Sequence, residues 1–581
     1  MNQSIRRTIL SVSLIAISLA LIWVNTPSKA QSDSSPVLIG GSIFDQLGQP
    51  VKSAQVTLRS DDRETVFSQV ETQPTGDFFL DSPDVIPDSL FIIVERAHFK
   101  PLEYSLSTEN IQSLRSGDSV IIPDLKIERQ ITVALWVATL VFIAVLVLIA
   151  TGKLHITLAS LVGASLIYLV SYLGSPLSEN LFIFNFQESL SFIDWNVIFL
   201  IMGMMIVIAV IEETGIFQWL SFTAYKISGG KIFLLLPILM LITGIASAFL
   251  DNVTTMLLMT PISVQIAISL GLNPLVLLIP EVFASNVIGI STLIGTPTNI
   301  LIGSYAKLSF NDFLTNLTPG VLLAFIGLIV FSFLTYRKQL SGTQELSDIL
   351  LEKLEEQAQI TQPDHLKKAG IVGLGMLILF MFGEHIHLVP AVTALIGATT
   401  LMVWIRPDIE EMIEAVDWTT LVFFMTLFIV VGAIQEVGLI SFIANAVGRL
   451  VGENLLVAML VVIWLSALLS TVIANIPFTA AMLPVVGYLT STVPGAESMV
   501  LFYCLSVGSA MGGNASLISA SANMVTAGIA DRAGYKISYV YFFKKGAPAM
   551  LITVAYFFKK GAPAMLSTVS LATIWLLIRF L

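Results

Sequence analysis

From Ile131 onward the chain is a succession of apolar runs separated by short polar joints, and several of the runs reach 18 residues or more. Runs of that length cross a bilayer as helices. They predict spans near 131–151, 154–174, 194–212 and 318–336 in one half, and near 369–388, 389–405, from Asp417 onward and at 561–580 in the other. Segments from Glu281 to Ala306 and from 500 to 528 are also apolar, but glycine, proline and amide residues interrupt them. The stretch 339–368, with Glu352, Lys353, Glu355 and Glu356, reads as a polar linker of helical character.

Residues 37–128 follow a different pattern. The run Ser42–Leu58 alternates apolar and polar positions around a Gly48-Gln49-Pro50 turn, and strand-like runs return at 78–80, 90–95 and 119–127. Short strands bounded by turns predict a small antiparallel β-sandwich. At the start, Arg6 and Arg7 precede an apolar run from Thr8 to Val24, and Ser28-Lys29-Ala30 fits a small-x-small cleavage site. Residues 1–30 therefore read as a signal peptide or an uncleaved signal anchor, and both readings place 37–128 outside the cytoplasm.

Self-comparison shows a repeat. Asp194-Trp195 returns as Asp417-Trp418, an offset of 223 residues. The same offset carries Met202 onto Met425, Glu213 onto Glu436, Gly215 onto Gly438, Ser247 onto Ser470, Asn252 onto Asn475, Met259 onto Met482 and Pro261 onto Pro484. Farther on, a one-residue slip aligns Asn299 with Asn523. Lys and Arg near span ends prefer the cytoplasm. Lys153, Lys226, Lys231, Arg337 and Lys338 then fall inside in the first half, and Arg406, Arg532, Lys536, Lys544 and Lys545 in the second. Lys307 and Arg449 are the exceptions. The fold class expected is an all-α polytopic membrane protein of two inverted repeats, 130–338 and 369–581, with re-entrant hairpins and broken helices beside the β-sandwich. Inverted repeats with sites near the midplane are a known transporter architecture.

Composition narrows the function. Only 12% of residues are charged, where soluble domains carry about 25%. No basic stripe suits nucleic acid, Cys504 is the one cysteine, and no Gly-x-x-x-x-Gly-Lys-Ser/Thr loop for ATP occurs. Glu384-His385-Ile386-His387 offers few ligands for a metal. No nucleophile–base set points to an enzyme, and without an ATP-binding loop transport must draw on an ion gradient. Gly508-Ser509-Ala510-Met511-Gly512 allows close helix approach, within the fold or in a homodimer. The partners expected are a small ion and the lipid bilayer. An eleven-residue segment, Tyr541–Leu551, recurs at Tyr556–Leu566 without a functional reading.

Four polar clusters interrupt the apolar runs. They are Asp251-Asn252-Val253-Thr254-Thr255, Gly295-Thr296-Pro297-Thr298-Asn299, Asn475-Ile476-Pro477-Phe478-Thr479, and Gly512-Gly513-Asn514 through Ser519-Ala520-Ser521-Ala522-Asn523. Broken backbone at membrane depth is tolerated only where it is buried or lines a cavity. Freed amides attract anions and freed carbonyls coordinate cations. The binding candidates are Asp251, Asn252, Thr254, Gly295, Thr296, Thr298, Asn299, Asn475, Thr479, Asn514, Ser519, Ser521 and Asn523. Glu281 joins them as an ionisable group within a span. At the common offset Asp251 stands opposite Ala474 and Glu281 opposite Cys504. Asp251 and Glu281 are therefore expected to form a coupling-ion site for sodium or a proton near Asn252, Thr254 and Asn299.

Ser247–Leu258 resembles the hairpin signature of the melanosomal P protein and arsenite-permease branch of the ion transporter superfamily, which includes citrate-transporter-like members. Gly203-Met204-Met205, Glu213–Phe217 and the passage from Glu281-Val282-Phe283 to Asn299 are similar to the same pattern. The resemblance covers roughly 130–581 and implies that superfamily's fold, with secondary active movement of an inorganic or small organic anion. Sodium/proton antiport or anion conductance are the alternatives it leaves open. Symporters of the superfamily carry Ser-Asn-Thr triplets at their hairpin tips, whereas this chain has Asp-Asn-Val-Thr and Asn-Ile-Pro-Phe-Thr, which argues against a dicarboxylate. Residues 37–128, with Thr72, Gly76 and Phe78, resemble the carboxypeptidase-regulatory-like sandwich, which implies a binding or spacer module. A membrane-anchored ligand sensor is the reading from another class, and it lacks a cytoplasmic output domain.

Overall fold

The computed structural model describes residues 37–46, 48–61, 65–340, 355–356 and 358–557. The expected signal segment at 1–30, half of the linker, the span at 561–580 and most of the second copy of Tyr541–Leu551 lie outside the described residues. The chain divides into two units, Met1–Arg129 and Gln130–Leu581.

The first unit holds two four-stranded sheets. Leu38–Asp45 pairs antiparallel with Asp77–Asp81 and parallel with Val120–Ile121 and Leu125–Ile127. The second sheet runs Val66–Glu71, Gln55–Ser60, Leu90–Glu95, Leu102–Ser105, all antiparallel. Alternate residues of both sheets, among them Ile39, Ile43, Phe78, Leu80, Val56, Leu58, Leu90 and Ile92, share one core. The expectation of an all-antiparallel sandwich is corrected. The 119–127 run splits at Pro123 and lies parallel to Leu38–Asp45, which is open to it because a long crossover, including the helix Thr108–Arg115, separates the two in sequence. Thr72 pins the unit: its hydroxyl accepts from the Ala54 amide at 2.8 Å and donates to the Val51 carbonyl at 2.6 Å. Gly76 turns with φ +82°, and a Cβ there would meet the Ile43 carbonyl.

Among the described residues of the second unit, nine helices are long and apolar enough to cross a membrane. Element boundaries repeat with the sequence. Trp195–Glu212, Ile216–Ser228, Ile232–Phe249 and Asn252–Ser269 return 223 residues later as Trp418–Glu436, Leu439–Val451, Leu455–Val472 and Asn475–Thr492. The repeated residues do the same local work. Asp194 and Asp417 each cap a span through backbone amides, and Gly215 and Gly438 adopt φ +76° and +91° ahead of the next helix. We call Ile232–Phe249 with Asn252–Ser269 the first hairpin, and Leu455–Val472 with Asn475–Thr492 the second. The first broken helix is Leu275–Ile288 with Pro297–Ala306, and the second is Val500–Gly513 with Ser521–Arg532.

The halves pack reciprocally. Ile156–Leu169 lies on Trp418–Glu436, and Pro390–Ile405 lies on Trp195–Glu212. Pro297–Ala306 packs on Asn475–Thr492, and Ser521–Arg532 on Asn252–Ser269. The arrangement is a pseudo-two-fold, and its hand in the membrane follows from parity. Between equivalent points Val133–Thr151, Ile156–Gly174, Trp195–Glu212 and Phe310–Tyr336 are long and apolar enough to cross, as are both helices of the first hairpin, which as an antiparallel pair return the chain to one side, and the broken helix counted as one crossing makes the number odd. An odd number of crossings turns the second half over.

Three expectations about spans shift. Phe310–Tyr336 begins eight residues before the expected 318, because Ser309 and Asp312 form a capping box. Pro363–Phe382 begins within the expected linker, with Pro363 in its first turn. Lys544 and Lys545, read as a cytoplasmic cluster after the second broken helix, lie on a helix, Tyr539–Phe557, that follows that broken helix as Phe310–Tyr336 follows the first. The Lys545 ammonium lies 5.3 Å from the centre of the Tyr336 ring, so a long side chain finds an aromatic face where the sequence reads as a charged joint.

Candidate functional site

Each hairpin tip is a break of two residues between helices of 18. At the first tip the Asp251 carboxylate accepts from the Val253 and Thr254 amides at 2.8 and 3.0 Å and from the Thr254 hydroxyl at 2.5 Å. Asp251 is thus the N-cap of Asn252–Ser269. At the second tip Ala474 supplies no side-chain cap, and the Asn475 amide instead donates to the Ser519 carbonyl at 2.9 Å. Pro297 and Pro477 sit in first turns, where the missing N–H costs nothing.

The break in each broken helix is tied to its hairpin by the same bonds in both halves. The Ser247 hydroxyl donates to the Ser285 carbonyl at 3.0 Å, and Ser470 to Ser509 at 2.8 Å. Thr292 donates to the Ala248 carbonyl, and Ser516 to Thr471. The Asn299 amide donates to the Ile290 and Thr292 carbonyls at 2.9 and 2.8 Å, and Asn523 to Gly513 and Ser516 at 2.7 and 2.9 Å. Asn299 and Asn523 therefore hold the broken backbone. Ser519 does likewise, donating to the Gly513 and Ser516 carbonyls. The Thr296 hydroxyl accepts from the Asn299 backbone N–H at 3.2 Å and bonds the Thr298 hydroxyl at 3.0 Å. At Gly295 a Cβ would meet the Gly289 and Ser247 carbonyls. Thr479 is buried with its hydroxyl unpaired among the described residues, and Ser521 opens its helix half-buried.

These bonds move the register. Ser247 and Ser470 differ by 223, but Ser285 and Ser509 differ by 224. The slip falls in the connection after the hairpin, which is longer in the second half. Glu281 is therefore opposite Leu505, and the pairing with Cys504 is corrected.

One group joins the two halves. The Asn252 amide donates to the Asn286 carbonyl oxygen at 2.8 Å, and the Asn286 amide donates to Asn514 at 2.9 Å and Asn523 at 3.1 Å. Ser506 donates to Asn299 at 2.6 Å. All six are buried. Asn286 and Ser506 were missed by sequence reasoning, although Asn286 is an amide in an apolar run three residues before a glycine. The helices that begin at Asn252 and Asn475 start from the two hairpin tips and those that begin at Pro297 and Ser521 from the two breaks, and helix N-termini favour anions.

Glu281 stands apart. It is fully buried, and Oε2 accepts from the Ser263 hydroxyl at 2.8 Å. Ser263 lies twelve residues beyond Asp251 on one helix, about 18 Å along its axis. The coupling site expected from Asp251 and Glu281 together is not assembled, because Glu281 bonds Ser263, about three turns along the hairpin helix from Asp251.

The profile of the citrate transporter family matches residues 146–500. An uncharacterized transporter of Mycobacterium tuberculosis (strain ATCC 25618 / H37Rv) is 36% identical over 419 residues, covering 72% of this chain and 96% of that protein. The P protein of Homo sapiens is 31% identical over 505 residues, covering 74% of this chain and 59% of that protein. An uncharacterized transporter of Synechocystis sp. (strain ATCC 27184 / PCC 6803 / Kazusa) is 29% identical over 436 residues, covering 71% and 93%.

Proposed function

The chain belongs to the citrate transporter family, and from that premise we propose that this multi-pass membrane transporter is a secondary active carrier of a small inorganic or organic anion. The observation that supports the reading best is the buried amide group Asn252–Asn286–Asn514–Asn523, which joins the first hairpin tip to both broken helices. Amides are neutral donors with no competing counter-charge, and two of the four, Asn252 and Asn523, stand in the first turn of a helix. A group shared between halves also changes when one half moves against the other, which is what alternating access requires. A gradient of protons or sodium would drive accumulation. The β-unit would lie outside the cytoplasm.

Uptake into proteoliposomes tests this, with citrate, sulfate, chloride and arsenite offered in turn under an imposed pH or sodium gradient. The expected result is accumulation of one of these species above its equilibrium level, abolished when the gradient is collapsed. Equilibration with a steady current and no accumulation would replace the carrier by a channel. Sodium–proton exchange with none of the four moving would replace it by an antiporter.

A further inference from the structure

The unpaired carboxyl oxygen of Glu281 is a feature the amide group does not explain. Glu281 is wholly buried on Leu275–Ile288, and its Oε1 has no hydrogen-bond partner among the described residues. Its Oε2 is satisfied by Ser263, and Thr260, one turn earlier on the Ser263 helix, presents a second buried hydroxyl without a partner among the described residues. We propose that Glu281 and Ser263 form a proton-binding site, separate from the amide group. A proton forms an O–H bond at Oε1, the carboxylate charge is cancelled, and release restores it.

The surroundings favour a proton over a metal cation. Ile232–Phe249 brings no titratable group, and Asn252–Ser269 has only Asp251 at its far end. Phe310–Tyr336 carries Asp312 and Tyr336, and Val500–Gly513 carries Tyr503 and Cys504. Ser521–Arg532 ends in Asp531 and Arg532. Tyr539–Phe557, which reaches this helix through Phe542 against Phe283, carries Tyr539, Tyr541, Lys544 and Lys545. None of these forms an ion pair or hydrogen bond with Glu281 among the described residues. A buried carboxylate without a cation is costly, whereas a protonated one is a neutral donor. Hard metal cations take a shell of several oxygen ligands, and Glu281 has one hydroxyl partner. The Leu505 counterpart cannot titrate, so the repeat carries this site once. Its part in coupling rests on the carrier reading, but its capacity to bind a proton does not.

Dicyclohexylcarbodiimide modifies protonated carboxyls in apolar surroundings and needs no transported substrate. The full chain in detergent should be modified at Glu281, located by tandem mass spectrometry, at about pH 6. The yield should fall at least tenfold by about pH 9, since deprotonation removes the reactive form. Glu281→Gln should lose that adduct. Absence of modification in the wild type at the lower pH would overturn the proposal, as would a yield that ignores pH or protection by sodium chloride but not by potassium chloride at constant pH. These readouts need only wild-type protein, so a misfolded variant does not decide them. Failure of every anion in the uptake panel with intact labelling would sink the carrier reading and leave the proton site standing.

Discussion

Asn286 uses both ends of its carboxamide, accepting from Asn252 and donating to Asn514 and Asn523. Leucine fills similar space but leaves three buried polar partners to find new ones, and each orphaned group costs about 1–3 kcal/mol. Asn286→Leu should therefore cut uptake at least tenfold and lower the melting temperature in detergent, while the protein still reaches the membrane. Uptake near wild type would reduce the group to interhelical packing. Asp251 makes a different prediction. Its carboxylate is engaged as a helix cap, which asparagine also performs well, so Asp251→Asn should cost a few tenths of a kcal/mol and Asp251→Ala about 1 kcal/mol. Equal melting temperatures for the two variants would contradict the cap assignment.

At the level of elements, the hairpins and broken helices approach too closely for side chains. A Cβ at Gly512 would strike the Ala467 carbonyl, and one at Gly508 the Ile463 carbonyl, both backbone atoms of Leu455–Val472 that have nowhere to go. Gly512→Ala should destabilise by about 1–3 kcal/mol. Gly373 on Pro363–Phe382 meets nothing within 4 Å, so Gly373→Ala should be neutral or stabilise by up to about 1 kcal/mol through helix propensity. Thermal unfolding of the two variants side by side checks the contrast, because both make the same chemical change.

At the scale of the whole molecule, inversion is the property most open to direct test. Ile227 and Leu450 are equivalent at the 223-residue offset and both are exposed, 67% and 76%. Cysteines placed there should react with an impermeant maleimide from opposite sides of the membrane. Asp84→Cys should label with Leu450→Cys, and Asp364→Cys with Ile227→Cys, if the β-unit is outside. The single native cysteine, Cys504, is buried and should stay silent. Labelling of Ile227→Cys and Leu450→Cys from one side would remove the inverted repeat.

Local chemistry along the chain was enough for most of the spans among the described residues, the repeat and the four breaks. Apolar length, a proline or glycine in a run, and an Asp ahead of a helix act within a few residues of themselves, so Asp194, Asp417, Pro297 and Asn475 appear in the structure doing what their neighbours in sequence imply. The parallel pairing of Leu38–Asp45, the seating of Lys545 over the Tyr336 ring and the meeting of Asn252 with Asn286, Asn514 and Asn523 were decided by tertiary structure. Each joins residues far apart in sequence, and no periodicity reports a contact of that range. The same holds for Glu281. Its charge and its span were legible, but its distance from Asp251 depends on how a hairpin helix lies against a broken one. Its partner in the repeat turned on the length of one connecting loop, where the chain absorbs an insertion without disturbing the helices on either side.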